Sequence, residues 1–446
     1  MSTLDSQASA KLDGLTAPAA GQVLATHALR ASLIPEVGVL ALVPDSWHLQ
    51  WQPRHQVMTR LSHYFPVLWL NPSDDWRRSL RPANLKPHPD TRPIQADFFV
   101  HSPSPLLPVF YSPKWLAKFT LRKRLEVARQ ILLNRGCKKI ALYLWRPELA
   151  AALDLLPFDL SCYHIDDEYS FSSVDMPLSK EERALITRVD QVFIHSPALL
   201  AKKGRINPHT AFAPNGVDFD AYSSPVPEPA DLATVPHPRI GYSGHIKKQL
   251  DWPLLLDLTA RHPDWHFVFV GAPNAHPEIA SYITELSRRN NVRFLGGKTT
   301  TELASYPQHF DVCIMPYRRD DYTKYIYPLK LHEYLASGRP VVGTPIASLE
   351  PFREIIRLPD GVDQWSLALR ESLGQGANTE EAQSARQILA KQHDWDFLVR
   401  QIAEAMTQRL GPTYTNLLAE RQGNLSSEAD RLSPSSHRRL FTSRFP

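Results

Sequence analysis

The amino-acid sequence predicts an α/β protein of two Rossmann-like, doubly wound domains facing each other across a cleft. Three observations predict it. Short apolar runs alternate with amphipathic stretches along most of the chain, the pattern of parallel βαβ units. One interval, Tyr222 to Arg239, holds five prolines and neither a helical nor a strand period, and reads as a linker. The length, 446 residues, is about three times the roughly 150 of a usual single domain.

The elements follow in order. Residues 1–33 are rich in Ala, Ser, Thr and Gly and read as a flexible leader. Val37 to Val43 (VGVLALV) has the length and β-branching of a buried strand. A helical pattern follows from Gln52 to His63, then a strand from Val67 to Leu70 that Asn71-Pro72 stops. Ile140 to Trp145, Leu160 to Ile165 and Gln191 to His195 are further strands, the last preceded by a helix that starts near Leu178. Residues 34–221 thus form the first domain and 222–238 the linker.

The second domain, 239–392, alternates more cleanly. Strands are expected at Arg239–Ser243, His266–Val270, Val292–Leu295, Asp311–Pro316 and Pro340–Thr344. Helices are expected at Asp251–Arg261, Pro277–Arg288 and Leu329–Ala336, the last closed by Ser337-Gly338. Trp395 to Leu410 is a strongly amphipathic helix, with apolar residues at 398, 399, 402, 406 and 410. The polar segment 411–446 reads as a largely disordered tail. In such a pair of domains, ligands sit at the carboxyl ends of the strands.

Composition narrows the classes. At 43% hydrophobic and 22% charged the chain is globular in type, not disordered, collagenous or coiled-coil. Fifty basic against 46 acidic residues leave a formal charge of +4, too little for a dedicated nucleic-acid binder. Cys137, Cys162 and Cys313 are far apart and form neither a metal nor a disulfide pattern. No apolar run approaches the roughly 18 residues of a spanning helix. There is no basic segment followed by an apolar one at the start, so a cytoplasmic location is expected.

Two stretches could carry chemistry in the second domain. Gly241-Tyr-Ser-Gly244 ends its first strand, where glycines let backbone approach a phosphate at a helix N-terminus. The bland alternative is an ordinary tight turn. Lys330 and Glu333 are three apart on one helix face, in the first turns after Pro328. A cation there can hold a diphosphate, and a carboxylate there can accept hydrogen bonds from two ribose hydroxyls. The bland alternative is an exposed ion pair of little worth.

In the first domain, His164-Ile-Asp-Asp-Glu168 follows a strand and precedes an aromatic-serine loop, Tyr169 to Ser173. A general base belongs at such a strand end, facing the cleft. Adjacent carboxylates also raise one another's pKa. The alternative is a polar loop that caps the next helix. His195 ends another strand and is a weaker candidate for contact with acceptor or diphosphate.

These residues carry a resemblance. Gly241 to Gly244, His266 to Gly271, Val292 to Gly296, Asp311 to Tyr317 and Glu333 to Val342 (EYLASGRPVV) follow one another as in the nucleotide-binding half of a GT-B glycosyltransferase of the group 1 superfamily, of the polysaccharide and teichuronic-acid biosynthesis type. Asn215-Gly-Val-Asp218 is similar too, and the helix at Trp395 resembles the segment that crosses back onto the first domain (393–410). The resemblance covers about residues 190–410. It implies transfer of a sugar from a nucleoside-diphosphate sugar to a glycan or lipid-linked acceptor in cell-surface polysaccharide assembly. It implies Glu333 on the donor ribose, Gly244, His245 and Lys330 on the diphosphate side, and Tyr317 lining the cleft. Asp167 is the first choice for the acceptor base and Asp166 the second. No metal and no cofactor are expected beyond the nucleotide-sugar co-substrate, because cations and helix amides replace a metal in this fold. Two departures are visible. Retaining members carry a second Glu eight positions before Glu333, where this chain has Tyr325. They also carry an Arg and a Lys after the first glycine turn, where His245 and Leu250 stand, with Lys247 and Lys248 close by.

Residues 112–139 hold nine Lys/Arg and one acid, Glu126, interleaved with Trp115, Leu116, Phe119 and Leu125. Such a stretch suits anionic lipid at the inner face of the cell membrane, or else is a solvated basic helix face. Two rivals to the transferase share the fold. A sugar-nucleotide epimerase would turn over without acceptor. A non-catalytic nucleotide-sugar-binding scaffold, which Tyr325 and His245 keep open, would bind without turnover.

Overall fold

A computed structural model describes residues 31–49, 51–79, 90–169, 178–273 and 276–432. The expected leader to residue 30, part of the aromatic-serine loop and the last fourteen residues lie outside the described residues.

The first domain is one eight-stranded sheet. Its strands are β1 (Val37–Leu42), β2 (Val67–Leu70), β3 (Asp90–Gln95), β4 (Phe98–Ser102), β5 (Lys139–Leu144), β6 (Leu160–Ile165), β7 (Gln191–Ile194) and β8 (Thr210–Phe212). Their order is β3-β4-β2-β1-β5-β6-β7-β8. Every pairing is parallel except β3 on β4, which is antiparallel. Continuous apolar runs such as VGVLAL are buried along their whole length because helices cover both faces. On one face Val39, Trp69, Tyr143 and Phe193 form a core with the helix Trp395–Leu410. On the other, Leu40, Leu68, Leu142 and Tyr163 pack with Leu125, Leu132 and Leu185.

The second sheet has five parallel strands, β9 (Arg239–Ser243), β10 (His266–Val270), β11 (Val292–Phe294), β12 (Val312–Met315) and β13 (Val341–Gly343), in the order β11-β10-β9-β12-β13. The order reverses between β9 and β12. That switch point opens a crevice beyond the strands' carboxyl ends.

Four expectations need correction. The proline-rich interval is not a free linker: Tyr222, Leu232 and Val235 are buried in the second domain's core, and Asp231 pairs with Lys298 at 2.8 Å. The chain crosses between domains earlier, at Val217, which bridges to Asp394 as the chain returns. The prolines suppress helix and strand but not packing. The tail is helical from Pro412 to Leu432, with Leu418 buried against the first domain; its sparse apolar positions hid the period. The basic stretch contains a helix, Lys114–Leu133, that inserts Thr120, Leu125, Ala128 and Leu132 into the domain. The leader's end is docked as well: Leu33 N–H donates to the His63 carbonyl at 2.9 Å.

Candidate functional site

The loop after β9 is tied along both edges. Ile246 bridges to Pro273 after β10, and Leu250 to Tyr317 after β12. The Tyr242 hydroxyl donates to the His245 carbonyl at 2.7 Å, and Ser243 N–H donates to the Tyr334 hydroxyl at 2.9 Å. Gly244 sits at φ 115°, in the left-handed region. A Cβ there would lie 2.5 Å from the Lys330 Nζ, so the glycine leaves room for the lysine tip.

Lys330 and Glu333 rise from the helix Leu329–Ala336, whose Leu331, Tyr334 and Leu335 anchor it in the core. Lys330 Nζ stands 5.0 Å over the Tyr242 ring. Burial pushes the Glu333 carboxyl up, opposed by Lys330 and by a hydrogen bond from Tyr222. Lys247 reaches the same place. Burial and the Lys330 charge lower its ammonium to about 8, and Asp167 of the first domain opposes the shift. Desolvation and the same two lysines hold the His245 imidazole below its ordinary value. Among the described residues neither Lys330 nor Lys247 has a carboxylate at ion-pair distance. Two ammonium groups set this close together favour a polyanion between them. Tyr317 is buried beside this cluster, with Lys330, Tyr242 and Glu333 as its neighbours.

The first domain's three carboxylates have diverged. Glu168 is fully buried between Lys202 at 2.8 Å and Lys203 at 3.1 Å, and Lys203 also reaches Glu182 at 2.8 Å. Asp166 is held by Arg54 at 3.2 Å and by the Tyr169 hydroxyl. Among the described residues, Asp167 accepts a hydrogen bond from the amide of Glu168 at 2.8 Å and has no ion pair. Its carboxyl is raised to about 6, mainly by burial, with Asp166 adding and Arg146 and Lys247 opposing. The cause expected from adjacent acids is therefore present but smaller than desolvation. Asp167 keeps the character of a base, whereas Asp166 is the ion-pair partner of a buried arginine. His195 is buried, and its Nδ1 meets the Ile165 carbonyl at 3.1 Å, which pins the start of the acid loop to β7.

The two halves meet here. Asp167 lies within Coulombic reach of Lys247 and of Tyr322, both from the second domain. Tyr325 does not face the donor crevice. It packs against the first domain's core, with Lys202 Nζ 5.1 Å from its ring. Sequence reasoning named Lys247 only as a neighbour of the expected cation position at Leu250, which is fully buried in its bridge to Tyr317. It missed Arg54 and Arg146 altogether. Arg146 follows β5 and lies 4.4 Å over the Tyr169 ring, a placement no local pattern announces.

Residues 237–375 match the family model of glycosyl transferases group 1. The putative teichuronic acid biosynthesis glycosyltransferase TuaH of Bacillus subtilis (strain 168) is 31% identical over 238 residues, which cover 50% of this chain and 58% of that protein. The chain thus matches over less than two thirds of that curated relative. Sucrose-phosphate synthase from Thermosynechococcus elongatus superposes with a TM-score of 0.61 at 17% identity, over 89% of this chain and 100% of that one. The E. coli trehalose-6-phosphate protein bound with UDP-2-fluoro glucose gives 0.62 at 10% identity, over 83% and 98%. Anabaena HepE in complex with UDP-glucose gives 0.56 at 16% identity, over 83% and 99%. The fold is GT-B, and within the second domain residues 237–375 are similar to group 1 glycosyl transferases.

Proposed function

We propose that this group 1 domain, on its GT-B frame, serves a glycosyltransferase that moves a sugar from a nucleoside-diphosphate sugar to a glycan or lipid-linked acceptor. The observation that carries the reading is the pair Lys247 and Lys330, without a carboxylate at ion-pair distance among the described residues, facing Asp167 across the cleft. The acceptor oxygen attacks the anomeric carbon and the bond from that carbon to the β-phosphate oxygen breaks. The proton passes to Asp167 and the nucleoside diphosphate leaves. The two lysines, His245 and the amides beside Gly244 stabilise the charge that grows on the leaving group. Glu333 takes the ribose hydroxyls, and Tyr317 walls the crevice. Domain closure excludes water and limits donor hydrolysis.

Cell-surface polysaccharide assembly is the context we favour, since the curated relative is named for teichuronic acid biosynthesis. A cytoplasmic enzyme working at the inner membrane face, without a metal, is consistent with that context. Among the described residues no helix is long and apolar enough to cross a membrane.

The test is thermal unfolding against UDP, GDP, ADP and CMP. A nucleotide at about a hundred times its dissociation constant adds roughly 2.7 kcal/mol. We expect one nucleotide to raise the midpoint, and Glu333→Ala to abolish the rise. Uridine nucleotides come first, because two structural neighbours were solved with UDP-sugars. A shift without turnover against any acceptor would favour the non-catalytic reading, which Tyr325 supports: the position of the second Glu is spent on an interdomain contact.

A further inference from the structure

Five large apolar side chains stand out of the first domain at one place. Leu106 is 71% exposed, Tyr111 76%, Trp115 69%, Phe119 50% and Trp76 40%. Two separate segments bring them together. Asp75 bridges to Val109, the Trp76 amide donates to the Val109 carbonyl at 3.0 Å, and the Trp76 ring stacks on Phe110 at 6.5 Å. Trp115 and Phe119 are one helical turn apart, on the face opposite the buried Arg124 and Ala128.

Basic residues predominate around this face. Between residues 98 and 125 the chain has no Asp or Glu. Lys114 and Lys118 are exposed beside Trp115 and Phe119, and Arg77 lies 5.4 Å over Trp76. Arg78 is matched by Asp74 at 3.7 Å, and Arg122 and Lys123 share Glu126, whereas among the described residues Lys114 and Arg77 have no carboxylate at ion-pair distance and Lys118 meets Asp154 only at longer range. Aromatic rings interleaved with lysines fit the headgroup layer of an anionic bilayer, where rings bury at the interface and cations meet lipid phosphates.

We infer that this face, built from Trp76–Arg77 and Leu106–Phe119, docks the protein on an anionic membrane surface. It is narrower than the basic stretch 112–139 and includes a second segment that the stretch does not contain. Its location gives it a use. The face lies at the carboxyl ends of β2 and β4, the same end of the sheet as Asp167 after β6. In the order β4-β2-β1-β5-β6 those outer strands are four spacings apart, about 19 Å at roughly 4.8 Å each. A lipid in the bilayer can therefore send a headgroup-linked glycan along the sheet to the acid, while its tail stays in the membrane. This last point deepens the lipid-linked acceptor reading and rests on it; docking itself does not.

The experiment is flotation of the full chain with vesicles of phosphatidylcholine alone or mixed with phosphatidylglycerol, at low and high salt, without donor. Binding only to the mixed vesicles, weakened by salt, is expected. Lys114→Gln with Lys118→Gln should lower partitioning about 25-fold, at roughly fivefold per cation. Trp115→Ala with Phe119→Ala should lower it about tenfold or more. Both pairs should unfold at the wild-type temperature and keep the nucleotide-induced rise. Equal binding to neutral vesicles, no binding, or wild-type binding by both pairs overturns the inference. So does a self-association in free solution that the aromatic pair abolishes. If flotation behaves as expected but no nucleotide shifts unfolding, the surface stands and the transferase reading fails.

Discussion

The two rims of the cleft treat charge in opposite ways. On the second domain, Lys247 and Lys330 crowd together without a carboxylate at ion-pair distance among the described residues, and the Lys330 charge adds to burial in lowering the Lys247 ammonium. On the first domain the carboxylates are crowded too, but two of three are neutralised from behind: Asp166 by Arg54, Glu168 by Lys202 and Lys203. Only Asp167 is left to face the other rim. An uncompensated charge at a strand end costs stability, so its retention on both sides is the mark of a site that a ligand completes. Fully paired neighbours on the same loop mark the scaffold.

The largest expected effect separates Asp167 from its neighbours. Asp167→Asn should lower turnover roughly 10²–10⁴-fold, the usual range for a positioned base. Turnover near wild type would remove Asp167 from the chemistry. Lys330→Ala should follow at about 10²–10³-fold, comparable to deleting a preformed stabiliser of the developing charge. Both variants must fold, which the nucleotide-free melting curve checks. Glu168 should behave differently. Lys203→Met leaves Glu168 and Glu182 with one fewer cation in a buried network, and should cost about 3–5 kcal/mol of stability by urea titration. Activity should then fall only as far as folded protein is lost.

The pH profile sharpens the same contrast. Asp167 must be ionised to take a proton, so kcat/KM should rise with pH through about 6. Lys247 must be charged to hold the diphosphate, so the profile should fall again through about 8. Lys247→Arg keeps its charge at higher pH and should abolish the alkaline limb, a difference of about tenfold one pH unit above 8. An alkaline limb unmoved in that variant would take Lys247 out of the site.

How much of this was legible depends on where the information lies. Strands such as Val67–Leu70 and Leu160–Ile165, and the helix Trp395–Leu410, match their sequence reading residue for residue, because burial on both faces or an unbroken helical period leaves one solution. β3 did not announce itself: at an edge, with Pro93 inside it, it has no apolar run. In the site, Lys330, Glu333 and Gly244 were readable because one helix and one turn set their spacing. The division of labour among Asp166, Asp167 and Glu168 was not. It is decided by Arg54 from the first helix and by Lys202 and Lys203 from a later one, partners brought in by the sheet and not by the local sequence.

The smallest effect is the most discriminating, because neighbouring residues should give opposite signs. The Asp167 carboxyl is moved up from 3.8 to about 6, so the folded state binds a proton that the unfolded state has released. Its contribution to stability is full below pH 3.8 and is lost as pH rises through about 6. At pH 7 the ionised group costs the fold at most about 3 kcal/mol, and roughly 1–2 kcal/mol once its contact with water is allowed for. Asp167→Asn should therefore stabilise the protein at pH 7 by that amount while destroying activity. The gain should shrink towards zero near pH 4, where the wild-type carboxyl is already protonated. Asp166→Asn leaves the Arg54 guanidinium, whose side chain is 5% exposed, with Asp45 as its remaining carboxylate among the described residues, and should destabilise instead. Urea midpoints at both pH values for both variants decide the matter. If Asp167→Asn destabilises at pH 7 as Asp166→Asn does, the two acids are equivalent structural partners and the asymmetry of the rim is lost.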